Sequence, residues 1–172
     1  MIVEEAIVDY SKDKKYRHSI MRRWGSDEEK FILWIGMNPS ITPDNPRITN
    51  ATASKEINFS KRFGYDKLIK MNVMDYITPY PKELLTVNEP MSRYNYKKIV
   101  INALKADKVV LAFGKLPPQL KKYALINLDY LSFYDIKLYC LEHNMDGSAK
   151  HSLYIKNDTN LKRYNWKRYL NE

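Results

Sequence analysis

The sequence predicts an α/β domain in three layers (α/β/α), with a four-stranded parallel sheet between helices. Two observations lead to this prediction. Four short apolar segments recur along the chain, and the stretches between them are long enough for crossover helices. Strands that alternate with helices are typical of right-handed crossovers and a parallel sheet. Because 172 residues fit one domain of ordinary size, we expect residues 1–172 to form a single domain.

The apolar segments differ in how completely they are apolar. Residues 31–35 and 109–113 are unbroken apolar runs, as expected of strands buried on both faces. Residues 68–73 and 136–141 each include a lysine, which favours positions nearer the margin of the sheet. Before the first strand, residues 10–24 form a basic, tyrosine-bearing stretch that we expect to be partly helical.

Helices are predicted between and after the strands. The pattern indicates helices over residues 52–63, 90–105 and 117–131, and a short basic helix over residues 161–170. Pro90 is acceptable in the first turn of the second of these helices.

Composition and charge exclude several classes of protein. No apolar run approaches the roughly 18 residues of a membrane helix, and the acidic start lacks the order of a signal peptide, so we expect a cytoplasmic protein. One cysteine and three separated histidines argue against a disulfide or a metal site, and no cofactor is expected. The net charge of +9 is typical of a protein with an acidic partner, or of a lysine-rich, solvated surface from an AT-rich genome.

Polar residues follow all four predicted strands, where ligands bind in parallel sheets. The segment that follows the first predicted strand is Gly36-Met37-Asn38-Pro39-Ser40. There Gly36 permits close approach of a ligand, and Pro39 fixes a turn that presents Asn38 at the strand tip. A simple capped turn is the alternative interpretation of the same residues. A phosphate-binding loop is excluded because there is one glycine and no Gly-Lys-Ser/Thr ending.

Two further polar residues stand at later strand exits. Asn72 lies within or at the end of an apolar strand, where an unsatisfied amide costs about 1–3 kcal/mol. Its adjacent donor and acceptor suit the edge of a pyrimidine, although an Asn that caps the loop has the same pattern. His151, after the predicted tight turn at Gly147, is able to donate a hydrogen bond to a developing anion. A histidine without any catalytic role is the alternative.

In this order, the three segments resemble the signature motifs of the uracil-DNA glycosylase superfamily. Residues 36–39 are similar to its Gly-x-Asp/Asn-Pro motif, Asn72 to the asparagine that reads uracil, and His151-Ser152 to its late His-Pro-Ser loop. The resemblance covers roughly residues 30 to 170. More closely, the chain resembles a small glycosylase-like family of unknown function from phages and mobile elements, through Arg62-Phe63-Gly64-Tyr65 and the segment from Asp146 to Tyr154.

The resemblance implies a role for each matching residue. Asn72 would hold the base edge, with Ser40 and Phe59 as further base-binding residues. His151 would hydrogen-bond the leaving uracil anion, and Asn38 would orient water. The resemblance also implies residues that would contact a DNA groove or an inhibitor protein, namely Gly36, Pro39, Ser152, Leu153 and Tyr154.

Departures from the superfamily pattern change the chemistry that we expect. Asn38 stands where uracil-specific enzymes have Asp, as it does in the mismatch-specific branch; its amide orients water but accepts no proton. Ser40 replaces a Tyr that excludes the thymine methyl group. No proline follows His151, and the chain beyond it looks extended rather than wedge-shaped.

These departures favour a pseudoenzyme with a degenerate site. Such a protein keeps the fold and a basic groove, and its expected partner is a small acidic inhibitor protein that imitates DNA. DNA is the weaker partner, and no membrane is expected. The alternative is an active DNA glycosylase with relaxed pyrimidine choice, of the mismatch-specific type. A nucleotide-binding α/β domain that does not act on DNA has the least support.

Overall fold

The structure, a computed structural model, describes residues 1–26, 29–41 and 43–170. In this part of the chain, seven strands form one mixed sheet. The strands are β1 (Glu5–Tyr10), β2 (Arg17–Arg23), β3 (Ile32–Gly36), β4 (Lys67–Asn72), β5 (Lys108–Leu111), β6 (Leu138–Cys140) and β7 (Lys162–Arg163). The α-helices are α1 (Ala51–Arg62), α2 (Asn95–Lys105), α3 (Pro118–Phe133) and α4 (Lys167–Leu170), and two 3-10 turns cover Pro81–Leu85 and Ser152–Tyr154.

The sheet confirms the α/β class but corrects the number of strands. Its order is β1-β2-β4-β3-β5-β6-β7. The four predicted strands pair in parallel at the centre, in the order β4-β3-β5-β6. β1 and β2 extend the sheet on one side and β7 on the other, all through antiparallel pairs. The prediction of a four-stranded parallel sheet was therefore wrong, because three further strands extend the sheet at its two edges.

The stretch before the first predicted strand is a hairpin, not a helix. β1 and β2 pair antiparallel, and Lys14 takes a left-handed backbone conformation (φ 57°) in the turn between them. β2 then pairs with β4, with Ile20 opposite Lys70. Sequence patterning missed β2 because Arg17 and Arg22 occupy buried positions where apolar residues were expected.

Helices cover both faces of the sheet. Leu33 and Ile35 of β3 belong to the apolar cluster that contains buried residues of α2 and α3. Ile32 and Trp34 point to the other face, where they belong to the cluster that contains Ile57 of α1. The Trp34 indole N–H donates to Ser60 Oγ at 2.9 Å, which ties α1 to the centre of the sheet. This alternation explains why β3 is apolar at every position.

Two helix predictions need correction at their boundaries. α2 begins at Asn95, so Pro90 is not in its first turn; the Pro90 carbonyl instead accepts a hydrogen bond from Tyr76 N. The predicted helix over residues 161–170 contains β7 and only one turn of helix, α4. Tyr164 N donates to Leu138 O, so this part of the tail pairs with the sheet edge rather than with itself. α1 and α3 lie within about two residues of their predicted bounds.

Among the described helices, none is both long enough and apolar enough to cross a membrane.

Candidate ligand-binding site

A cavity of about 220 Å³ lies at the carboxyl ends of β3 and β4. Five residues predicted from the sequence line it, namely Gly36, Asn38, Ser40, Asn72 and His151. They come from three separate strand exits, which meet because parallel strands end at one edge of the sheet. A cavity of about 150 Å³ is enough to hold benzene, so this one has room for a single six-membered ring with polar substituents.

Other predicted site residues lie elsewhere. Phe59 is buried in the core beside Trp34 and Phe63, at ring distances of 6.2 and 6.0 Å, and is not among the cavity residues. Pro39 and Ser152 are buried, so neither offers a surface contact. Leu153 and Tyr154 are exposed, 38% and 75% respectively, in a 3-10 turn directly after His151. The chain there is therefore a tight turn, not the extended segment that the sequence indicated.

Asn72 presents a free amide to the cavity. Its exposed fraction is only 3%, and its side chain hydrogen-bonds to none of the described residues. Gly36 is its partner across the β3–β4 pair. A Cβ on Gly36 would lie 2.8 Å from Asn72 Oδ1 and 2.8 Å from Lys70 Nζ, so only glycine leaves room for both groups. The amide is thus a donor–acceptor pair that is buried yet available to a ligand.

His151 is oriented by its own backbone. Leu153 N donates to His151 Nδ1 at 3.2 Å, so in the neutral ring the proton is on Nε2. Burial lowers the pKa of His151 from its ordinary value of 6.5, and the Lys70 ammonium lowers it further. A neutral imidazole is therefore favoured, with Nε2–H as a hydrogen-bond donor for the cavity.

The loop that carries His151 is held by a tight turn and by β5. Asp146 Oδ1 accepts hydrogen bonds from both the backbone N–H and the hydroxyl of Ser148. Gly147 has φ +74°, and a Cβ there would lie 2.9 Å from the backbone of Arg168. Gly114 N, at the exit of β5, donates to Ala149 O at 2.8 Å. These contacts explain the Asp-Gly pair a few residues before His151.

We expect His151 to make the stability of the protein depend on pH. Its folded pKa is lowered, so between that pKa and about 6.5 the unfolded chain binds more protons than the folded one. The stability it contributes is therefore present above about pH 6.5 and is lost as the pH falls towards the folded pKa. Urea unfolding of the wild type should show this slope, and His151→Gln should lack it. The exposed His143 provides the control: a His143→Gln variant that also lost the slope would contradict the assignment.

Asn38 is already committed to the protein backbone. Its Nδ2 donates to Pro39 O at 3.1 Å and to Thr78 O at 2.9 Å. Both amide hydrogens are therefore used to hold the loop after β3 against the segment after β4. Its Oδ1 accepts no hydrogen bond from the described residues, so it remains able to orient a water molecule.

The cavity also holds an ion pair that sequence reasoning missed. Lys70 Nζ lies 2.5 Å from Glu56 Oε1, and Ser152 Oγ donates to the same oxygen at 3.0 Å. Glu56 is 2% exposed, which is rare for a carboxylate unless it is paired. The only feature of the sequence that indicated this ion pair was the lysine within the predicted strand 68–73. We interpreted it as a sign of a sheet margin, but the β4 strand that carries it lies between β2 and β3.

Two buried arginines of β2 also line the cavity. Arg17 Nη1 donates to Ser40 O at 3.4 Å, and Arg22 Nε donates to Pro46 O at 3.2 Å. Burial lowers the pKa of Arg17 to about 10 and also lowers that of Arg22. Both still carry a proton at neutral pH. Three cations, including Lys70, thus face one carboxylate in the cavity, so its electrostatic field is positive.

In the part of the chain that the structure describes, no group of three or more His, Cys, Asp or Glu residues is placed to hold a metal ion.

The residues that form this cavity lie in a segment of the chain that matches a known protein family. The model of a family described as "Protein of unknown function (DUF1643)" matches residues 17–153. The matched segment begins at Arg17 in β2 and ends two residues after His151, so it contains all the described residues that line the cavity. No curated protein and no solved structure matches the chain.

Proposed function

The chain belongs to this family of proteins of unknown function, DUF1643, and we propose that it is a uracil-DNA glycosylase-like pseudoenzyme. It holds a pyrimidine ring in the cavity, lacks an effective hydrolytic group, and binds an acidic protein that imitates DNA at the cavity mouth. The order of the central parallel strands, with motif residues at the exits of β3 and β4 and after β6, supports the resemblance to that superfamily.

The proposal rests on the different hydrogen bonding of two asparagines, Asn72 and Asn38. Asn72 is buried with its amide free, while the amide donors of Asn38 are bonded to backbone carbonyls. Recognition of a ring needs the first amide, and hydrolysis of a glycosidic bond needs a group near the sugar that accepts a proton or carries negative charge. Glu56 is the one carboxylate among the described residues of the cavity, and Lys70 and Ser152 already occupy it. Ring binding is therefore retained and hydrolysis is weakened.

The surface around the cavity suits an acidic protein partner. The chain carries a net charge of +9, part of it on the cations that line the cavity, and this charge would steer an acidic surface to this edge of the sheet. Tyr154 and Leu153 are exposed beside His151 and provide an aromatic and an aliphatic anchor. Exposed aromatic residues of this kind often dominate the binding energy of an interface.

The excision half of the proposal is tested by single-turnover base release. Protein in excess is mixed with a uracil-containing single strand and, separately, with a mismatched duplex. We expect no release over hours from protein that is shown to be folded. Release that disappears in Asn38→Ala would instead make this protein an enzyme and end the pseudoenzyme proposal.

The partner half is tested by calorimetry with a purified acidic uracil-DNA glycosylase inhibitor protein at low and high salt. We expect binding that Tyr154→Ala weakens on the order of tenfold. Phe133→Ala is the matched control, since Phe133 is also exposed but ends α3, at the opposite end of the parallel strands. Absence of binding at both salt concentrations, or equal effects of the two variants, would contradict the partner proposal.

A second candidate function, an active DNA glycosylase with relaxed pyrimidine choice, has one specific observation in its favour. The free Asn72 amide and the His151 Nε2–H both face the cavity, and Ser40 leaves space where a tyrosine would exclude a methyl group. This candidate predicts excision that falls in His151→Gln. The single-turnover assay therefore distinguishes the two functions directly.

Restoring the superfamily carboxylate at position 38 is expected to destabilise the protein rather than activate it. In Asn38→Asp, carboxylate oxygens replace the amide that donates to Pro39 O and Thr78 O. Two acceptors then face each other, and we expect the free energy of unfolding to fall by about 1–3 kcal/mol. The loss should be smaller at low pH, where a protonated carboxyl donates one hydrogen bond. Urea unfolding at two pH values measures this, with Asn38→Ala as the control without charge; a stable, active Asn38→Asp variant would contradict the expectation.

A further inference from the structure

The peptide group that follows Asn72 is held from both sides. β4 ends at Asn72, and the N–H of the next residue, Val73, donates to Gly36 O at 2.9 Å. The carbonyl of the same peptide group, Asn72 O, accepts a hydrogen bond from Asn95 Nδ2 at 2.8 Å. Asn95 is the first residue of α2, which packs on the face of the sheet opposite to α1, and it is not among the described residues that line the cavity. It therefore touches the ring-reading residue from behind.

The direction of the Asn72 side chain depends on this peptide group. The Asn72 amide makes no hydrogen bond with any of the described residues, so no polar contact of its own holds it in place. Its Cα–Cβ bond takes its direction from the backbone, and on the carboxyl-terminal side the backbone is fixed by Gly36 and Asn95. A side chain that reads the edge of a ring has to be held within about 0.5 Å of its productive position by the residues that support it.

A second contact fixes the start of α2 against the same segment. Asp75, three residues after Asn72, accepts hydrogen bonds from Ser92 N at 2.7 Å and from Ser92 Oγ at 2.5 Å. Ser92 O in turn accepts a hydrogen bond from Asn95 N at 3.1 Å. The segments 72–75 and 92–95 are thus joined at two points, which gives Asn95 a defined position relative to Asn72.

The chemistry of Asn95 shows which of its atoms matter. Its Nδ2 donates to Asn72 O and, at 3.4 Å, to Val73 O. The residue is fully buried, and its Oδ1 has no hydrogen-bond partner among the described residues. A buried acceptor without a partner lowers stability. An aliphatic residue would avoid that loss but would leave both carbonyls without this donor, so the two amide hydrogens account for an asparagine at this position.

We infer that Asn95 is a positioning residue of the ring pocket. Its amide fixes the peptide group after Asn72, and thereby the direction of the amide that reads the edge of the ring. The inference rests on the proposed ring pocket for the identity of the ligand, whereas the contact between Asn95 and Asn72 exists without one.

Calorimetry of Asn95→Ala with deoxyuridine tests the inference. We expect the affinity to fall on the order of tenfold, because Asn72 is still present but is no longer held in one direction. Asn127→Ala is the matched control, since Asn127 is a buried asparagine whose Nδ2 donates to Val73 O but to no atom of Asn72. In an Asn72→Ala background, the added Asn95→Ala change should alter the affinity by less than about twofold, because Asn95 acts through Asn72. A purely structural role would lower the stability of the variants and leave the affinity of the folded protein unchanged.

Two further measurements keep the test decisive. Asn95→Ser is a milder variant whose hydroxyl still donates to one carbonyl, so its loss of affinity should be smaller than that of Asn95→Ala. Nuclear magnetic resonance follows the Asn72 side-chain amide without a ligand, and the absence of its signal in Asn72→Ala identifies it. We expect this signal to be broadened or doubled in Asn95→Ala and to be unchanged in Asn127→Ala.

The outcomes separate this inference from the proposed ring pocket. If Asn95→Ala, checked for folding by circular dichroism, binds deoxyuridine as tightly as the wild type, the positioning role is wrong while the ring pocket stands. Equal weakening in Asn95→Ala and Asn127→Ala also overturns the positioning role, because a general loss of packing would then explain both. If the wild type does not bind deoxyuridine, the ring pocket is wrong, and the resonance comparison decides the positioning role alone. An unchanged Asn72 signal in Asn95→Ala then overturns it, and a broadened or doubled signal supports it.

Discussion

Asn72→Ala is expected to abolish ring binding and yet leave the stability of the fold close to that of the wild type. The Asn72 amide is 3% exposed, lines the cavity and is bonded to none of the described residues, so its removal breaks no hydrogen bond among them. We therefore expect the free energy of unfolding to change by less than about 1 kcal/mol. Binding of deoxyuridine should weaken on the order of 100-fold, because both edge hydrogen bonds are lost.

Asn127→Ala is the matched control for this variant. Asn127 is also a buried asparagine, and its Oδ1 has no hydrogen-bond partner among the described residues, but its Nδ2 donates to Val73 O at 3.1 Å and to Tyr123 O at 2.7 Å. Its loss should lower the free energy of unfolding by about 1–2 kcal/mol while ring binding is retained. Denaturant unfolding and calorimetry measure both quantities. A destabilised Asn72→Ala variant that still binds the ring would mean that Asn72 is structural and that the cavity is not a ring pocket.

Different effects of these two variants would separate ligand binding from folding. Truncation of a residue kept for packing lowers the stability of the protein, whereas truncation of a residue kept for a ligand lowers the affinity and leaves the stability nearly unchanged. Gly36 belongs with Asn72 in this respect, because its missing Cβ keeps the Asn72 amide and the Lys70 ammonium in the cavity.

The central fold could be predicted from the sequence because its physical signal is local. β3 and β5 are apolar at successive positions, since helices cover both faces of the sheet, and this pattern is visible in single segments. β2 gave no such signal, because its buried positions hold Arg17 and Arg22, whose burial depends on a cavity formed by distant residues. β2 was therefore missed, and with it the hairpin that extends the sheet beyond β4.

The residues of the cavity likewise include some that the sequence could predict and some that it could not. Asn38, Asn72 and His151 were predicted because parallel strands bring their carboxyl ends together, so position along the chain was enough to group them. Glu56 was not predicted, because an acidic residue on a helix usually faces solvent. Its role depends on Lys70 of β4, and that pairing exists only after α1 has packed across the sheet. Charge pairs of this kind are properties of the tertiary structure and leave little trace in the pattern of a single segment.

Breaking the Glu56–Lys70 pair from either side is expected to be the most destabilising change in the cavity. Glu56→Gln leaves the Lys70 ammonium buried without its carboxylate, and Lys70→Met leaves the carboxylate without its ion-pair partner, with the Ser152 hydroxyl still bonded to it. Each should lower the free energy of unfolding by about 3–5 kcal/mol, whereas the double variant Glu56→Gln/Lys70→Met should cost much less than the sum. Urea unfolding of the wild type and the three variants measures the coupling, and additive losses would show that the two charges do not depend on each other.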